Sequence, residues 1–241
     1  MPLAIARVTA REVDLPPVRL ADATHDIGLL VEAREDLVAE ATRVRNRVHA
    51  DLVVLVPGYG AKAANLVALR NRRTAGRLLR PLRGIQAELA RDRLARLGRL
   101  MTEAKLIETR LAGLVSHHPL MDLPGAGVLV TAKLIGEAGD VGRFRSADAF
   151  AMLAGVAPIP ASSGQTQRLR LNRGGNRQLN RALHTIALTQ AWHHQPAKDY
   201  IARKRAEGRT WREALRSLKR HIARVVFKLL AGPTKIARLA A

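Results

Sequence analysis

The chain of 241 residues contains no cysteine. That excludes disulfides and thiolate-bound zinc, and fits a reducing compartment. Aromatic residues make up 3% of it, too few to build a stacking platform for single-stranded nucleic acid. It has no run of about 18 apolar residues, so no membrane-spanning helix is expected. Its first residues lack the basic region and small-residue cleavage site of a secretory signal. These absences together predict a cytoplasmic protein with no membrane partner. Acids are scarce in the last third: from Ser162 onward there are 3 Asp/Glu against 18 Lys/Arg.

Positive charge is what the chain has in excess. Lys and Arg outnumber Asp and Glu by 41 to 20, a formal +21, which favours a polyanionic partner. Because aromatics are few, contact with a double-helical backbone is expected, and so a nucleoid-associated protein. The charge is uneven. Asp22, Asp26, Glu32, Glu35, Asp36 and Glu40 cluster near the start, which assigns the polyanion to the C-terminal part.

Hydrophobic spacing predicts a helix over 22–55, carried by Ile27, Leu30, Val31, Leu37, Val38, Val44 and Val48. Pro57, Gly58 and Gly60 then break the pattern. A second helix is expected over 85–115, where Leu97, Leu100, Ala104, Ile107, Leu111 and Leu114 form a short heptad seam. Such a seam either packs on its own domain or pairs with a second chain, and a homo-oligomer is the expectation drawn from the second option. After residue 118 the texture changes to short helices with glycine turns. Thr210 and Glu213 have capping-box spacing ahead of a helix with Leu215, Leu218, Ile222, Val225 and Leu229 on one face. The other face carries Arg212, Arg216, Lys219, Arg220, Arg224 and Lys228. The expected fold is therefore mainly α: long helices and a coiled-coil-like linker, then an all-α C-terminal domain with a helix-hairpin-helix.

Three stretches bear on chemistry. "LPGAGVLVTAKLI", residues 123–135, has the form of a helix-hairpin-helix turn. Gly125 and Gly127 permit the turn, the N–H groups opening the next helix can hold a phosphate, and Lys133 adds charge. Such a contact positions DNA without reading its sequence. An ordinary turn between two helices is the alternative. "RFRSADAFAMLAGVAP", residues 143–158, reads as a short helix capped by Ser146 and closed by Gly155. It delivers the chain to Ser162 and Ser163. Beyond these serines, Arg168, Arg170 and Arg173 lie on an extended or looped segment, and Arg177 and Arg181 fall one turn apart on a helix capped by Asn172 or Asn176. Guanidiniums bind phosphate bidentately and steady a charged transition state, but no general base stands beside the serines in sequence, and a polar turn remains open. The adjacent His193-His194 pair lacks a partner at helical spacing and is not read as a metal site.

Taken in order, "LPGAGVLVTAKLIGEAGDVGRFRSADAFAMLAGVAP", "SSG" and "RLRLNRGGNRQLNRALHTIALTQA" resemble the C-terminal domain of the IS-one-ten family of insertion-sequence transposases. "ATHDIGLLVEAREDLVAEATRVRNRVHADL" resembles the long helix after the catalytic acids of that family's RuvC-like domain. The resemblance implies a DNA recombinase that cuts and rejoins double-stranded DNA through a serine. That serine works with Mg²⁺ on a carboxylate tetrad, and a guide RNA selects the sites. The serine before glycine in "SSG" is Ser163, which the resemblance makes the nucleophile. It also implies a remnant of the RuvC-like domain over 1–84, a helical linker over 85–117 and a transposase domain over 118–241. Ala4-Ile5-Ala6 corresponds to the stretch that follows the last acids, so the four metal ligands are expected to be missing and the chain to be a truncated transposase. Asp14, Asp22 and Asp26 do not match the motif. The alternative is a non-catalytic DNA-binding remnant.

Overall fold

The computed structural model describes residues 10–11, 23–161 and 169–232. Ser162, Ser163, Arg168, Asp14 and Asp22 lie outside the described residues. The architecture is mainly α, as the hydrophobic spacing predicts. Nine α-helices follow in order among the described residues: α1 (Ala23–Leu55), α2 (Gly60–Ala63), α3 (Leu69–Leu79), α4 (Ile85–Val115), α5 (Val128–Ala138), α6 (Ala147–Leu153), α7 (Arg177–His193), α8 (Gln195–Ala206) and α9 (Trp211–Ala231). Single 3-10 turns at Pro119–Asp122 and Val141–Arg143 flank α5. Two strands of two residues, β1 (Ile159–Pro160) and β2 (Leu169–Arg170), pair antiparallel with Ile159 opposite Arg170 and Pro160 opposite Leu169. They are too short to have left an alternating pattern in the sequence.

The chain divides into two compact units, Met1–Gly28 with Leu114–Ala241, and Leu29–Gly113. Residues 85–113 belong to the second of these units.

In the Leu29–Gly113 unit, Val44, Val48 and Leu52 of α1 share one core with Leu94, Leu97 and Leu100 of α4 and with Leu66, Ala75 and Leu79. Of the heptad seam, Leu97, Leu100, Ala104, Leu111 and Leu114 are all buried, and Leu97 and Leu100 pack in the core shared with α1. Ion pairs fix the register of the two long helices. Arg34 Nη2 donates to Glu108 Oε1 at 2.7 Å, and Arg93 Nη1 donates to both oxygens of buried Asp51 at 2.7 and 2.9 Å. The Arg34 and Lys105 hydrogen bonds lower the Glu108 carboxyl from its ordinary value, against burial, which raises it.

In the other unit, α7 packs against α5, α8 and α9. Leu179, Leu183 and Ile186 of α7 join Leu134 of α5 and Phe150 of α6 in the core. Local signals account for the helix ends. The Ser146 hydroxyl accepts from the Ala149 N–H at the start of α6, and the Asn176 carbonyl accepts from Gln178 and Leu179 at the start of α7. At α9 both halves of the Thr210–Glu213 capping box are formed. Caps of this kind contribute about 1 kcal/mol each. The N-terminal turn of α1 belongs to this unit too: a Cβ built on Gly136 of α5 would stand 2.6 Å from Gly28 Cα, so the two backbones cross where neither residue has a side chain.

Candidate nucleic-acid interface

The hairpin ahead of α5 is held from below by α7. Gly125 has φ +91°, the left-handed region that favours glycine. A Cβ on it would also lie 2.9 Å from Thr189 Cβ and 3.2 Å from the Ile186 backbone. Gln190 Nε2 donates to Pro124 O at 2.9 Å, and Thr131 Oγ1 donates to Ala126 O at 3.0 Å. Gly127 acts differently. Its φ is −68°, it is the exposed residue before α5, and a Cβ there would meet nothing within 4 Å. No side chain caps the helix at this position. The first N–H groups of α5, at Val128, Leu129 and Val130, therefore have no side-chain cap, an arrangement suited to an anion.

The structure places Lys133 away from that surface. It is 8% exposed, and its Nζ donates to Gln178 Oε1 at 2.9 Å between α5 and α7. Five residues into α5, its position faces α7, where the ammonium is engaged by Gln178 inside the unit. Burial of this kind is uncommon for lysine.

A second corner is built from backbone crossing backbone. Gly155, at φ +65°, ends the turn after α6 and lies against Gly175. A Cβ on Gly175 would fall on Gly155 Cα and N, and 2.8 Å from Leu153 O. The Asn176 N–H donates to Leu153 O at 2.6 Å. Asn180 Nδ2 donates to Ala154 O and Gly155 O at 2.9 and 3.1 Å, while its Oδ1 accepts from Lys219 Nζ at 2.8 Å. Asn172 Nδ2 donates to Met152 O at 2.8 Å, and its Oδ1 accepts from the Gly174 N–H. Asparagine suits each of these positions because one amide both donates and accepts.

Beside this corner lies a cavity of about 790 Å³, lined by Gly155 to Pro158, by Arg170 to Arg173, and by side chains of the α8–α9 turn and of α9. Arg170 and Arg173 reach it from one wall. Lys204, Arg209, Arg216, Lys219 and Arg220 reach it from the other. Two carboxylates share the lining, Glu207 and Glu213, and both are committed elsewhere. Lys204 Nζ donates to Glu207 Oε2 at 2.6 Å, and the Thr210 N–H and Oγ1 donate to Glu213 Oε2 at 2.9 and 2.8 Å. These bonds hold both carboxyls below their usual range, led by Lys204 for Glu207 and by the Thr210 N–H for Glu213. Seven cations against two occupied anions leave a strongly positive wall, the form a phosphodiester needs. Burial, and then Arg216, push the Lys219 ammonium below its usual value, so it loses a proton more readily than a surface lysine.

Of the arginines singled out in sequence, Arg170 and Arg173 line the cavity. Arg177 and Arg181 are exposed on the first turns of α7 and are not among its lining. Sequence reading missed Lys204 and Arg209. The basic run "ARKRAEGRT" around the Gly208 turn was their only signal, and nothing local tied it to the serine stretch. His194 joins α7 to α8, and its Nδ1 is buried without a hydrogen-bond partner. Among the described residues no three His, Asp or Glu side chains gather to hold a metal ion.

Comparison with known proteins gives the surface its context. Residues 117–202 match the family described as Transposase IS116/IS110/IS902 family, a span that includes the hairpin, the corner and the start of α8. The chain is 29% identical over 261 residues to the insertion element IS110 43.6 kDa protein of Streptomyces coelicolor, covering 88% of this chain and 64% of that one. It is 29% identical over 267 residues to the insertion element IS900 42 kDa protein of Mycobacterium paratuberculosis, covering 90% and 67%. With the insertion element IS116 44.8 kDa protein of Streptomyces clavuligerus it shares 32% identity over 109 residues, 45% of this chain and 27% of that one. The chain thus spans about two thirds of the length of the first two relatives. Residues 117–202 are thus similar to the transposase domain described for the IS116/IS110/IS902 family.

Proposed function

We propose that this chain works in DNA transposition: its C-terminal unit grips the backbone of double-stranded DNA, and Ser163 is the nucleophile that cuts and rejoins a strand. The observation that carries the reading is the cationic cavity. Pro158 and Arg170, which flank the serine stretch in sequence, both line it. In the step, Ser163 Oγ forms a bond to phosphorus as the bond to the leaving sugar oxygen breaks. The serine proton departs and the leaving oxygen takes one up. Arg170, Arg173 and Arg216 neutralise the charge that builds on the non-bridging oxygens, the role that pre-positioned donors play best. The open N–H groups after Gly127 hold a second phosphate and set the register of the duplex. The carboxylates and Mg²⁺ of the RuvC-like domain belong to the expectation carried by the family resemblance, as does a guide RNA, while a homo-oligomer is the expectation drawn from the heptad seam.

The test is covalent capture. The chain is incubated with Mg²⁺, nicked duplex DNA and an RuvC-like domain bearing the family's acids, supplied in cis or as a separate chain. An adduct stable to detergent is expected, lost in Ser163→Ala and retained in Ser162→Ala. An adduct retained in Ser163→Ala removes that serine as nucleophile. Tight DNA binding with no adduct assigns the chain to the binding-only alternative.

A further inference from the structure

Outside the transposase domain, the structure shows a second cationic surface. From Leu52 to Ala87 the sequence has no acid, yet it carries Lys62, Arg70, Arg72, Arg73, Arg77, Arg80 and Arg83. Two nearby arginines hold the fold. Arg72 donates to Leu66 O and Val67 O, and Arg91 donates to Leu79 O and Leu82 O at the end of α3. The others point outward. Arg70, Arg73, Arg77, Arg80 and Arg83 are all exposed, and among the described residues no ion pair engages them. Ala75 and Leu79 bury the opposite side of α3.

Arg73, Arg77 and Arg80 fall at spacings of four and three, one stripe along the helix. They surround Gly76 and with it line a shallow depression. Packing does not demand a glycine there: a Cβ would meet only Leu94 Cδ2, at an ordinary 3.7 Å. Glycine inside a helix is less favourable than alanine, so an open floor between three guanidiniums is kept at some expense of stability.

We propose that the exposed stripe of α3 is a second docking surface for B-form duplex DNA, separate from the transposase domain. The inference rests on the reading that duplex DNA is this chain's partner. Along the helix the stripe runs for about 10 Å. One strand of the double helix presents a phosphate for about every 3.4 Å of axis, so three arginines match about three successive phosphates. The stripe has no aromatic side chain to stack on an unpaired base. An exposed helix fits the wide major groove of B-form DNA and is excluded from the deep, narrow one of double-stranded RNA.

The test uses the full chain, a duplex DNA of about 40 base pairs with arbitrary sequence, and fluorescence anisotropy across a salt series. Arg73→Gln/Arg77→Gln/Arg80→Gln should keep the wild-type helical signal and melting profile. Its slope of log K against log salt should become shallower by about 2.7, or 0.9 for each of three lost phosphate contacts. Arg→Lys at the same positions should hold the slope near wild type. Arg170→Gln/Arg173→Gln, in the other unit, should lower the slope separately. An unchanged slope in the α3 variant, beside a lowered one in the Arg170/Arg173 variant, overturns this inference and leaves the proposed function standing. The reverse pattern supports α3 and counts against the cavity. If the α3 variant loses binding only to double-stranded RNA, or only to vesicles of anionic lipid, the commitment to DNA is wrong.

Discussion

Gly174 and Gly175 are adjacent, chemically identical and differently placed, so alanine at each makes a controlled experiment. A Cβ on Gly174 would approach nothing nearer than Asn172 Oδ1 at 3.7 Å, ordinary contact, and Gly174 has no positive φ. Gly174→Ala should therefore change stability by less than about 1 kcal/mol, with either sign, because alanine also restricts the unfolded chain. At Gly175 the new methyl would land on the Gly155 backbone and 2.8 Å from Leu153 O, and backbone cannot rotate aside. The start of α7 must withdraw from the turn after α6. That strains the Asn176–Leu153 bond and the two bonds from Asn180 to Ala154 and Gly155. Overpacking costs about 1–3 kcal/mol and each weakened hydrogen bond up to about 1, so a total of roughly 2–4 kcal/mol is expected for Gly175→Ala. For a unit of this size that lowers Tm by roughly 5–12 °C. The helices around the corner dominate this unit, so circular dichroism at 222 nm during heating follows its melting. Because the cavity borders the corner, Gly175→Ala should also weaken DNA binding at temperatures where the chain is still folded. If Gly175→Ala melts within 2 °C of Gly174→Ala, the backbone crossing is not what holds this corner.

Leu100→Asp should unfold the Leu29–Gly113 unit, because Leu100 lies in its core. Circular dichroism at 222 nm should lose the signal of the long helices, and a well-folded variant that merely changes mass in light scattering would contradict the assignment. Acid should act through histidine first. Burial is the leading cause that lowers the imidazole pKa at His49, His118, His184 and His221 below 6.5. The folded chain then binds these protons less readily than the unfolded chain, so stability is complete above about pH 6.5 and falls below it. Glu108, Glu207 and Glu213, held below 4.5, withdraw their contributions only at lower pH still. A melting temperature that is flat from pH 7.5 to 5 would refute the histidine assignment.

The long elements were legible because their determinants are local. The helix expected over 22–55 is Ala23–Leu55, and that over 85–115 is Ile85–Val115, each marked by apolar spacing and a glycine or proline break. Ser146, Asn176 and Thr210 cap their helices from within three residues, a distance sequence reading handles well. The cavity was not legible in the same way. Arg170 and Arg209 are far apart in the chain, and only the packing of α7, α8 and α9 makes them opposite walls. Lys133 and the heptad seam show the converse difficulty: spacing says which side chains share a face, but not whether that face meets water, another helix of the same chain or a second molecule. The α3 arginines are inconspicuous in sequence because the charge excess is greatest in the C-terminal third.

The pairing of Ile159 with Arg170 and of Pro160 with Leu169 has a consequence for the cavity. Side chains alternate between the two faces of a strand, so this register decides which way Arg170 points along the cavity it lines. A change that slipped the pairing by one residue would turn Arg170 to the opposite face and take one guanidinium from that wall without altering the charge of the chain.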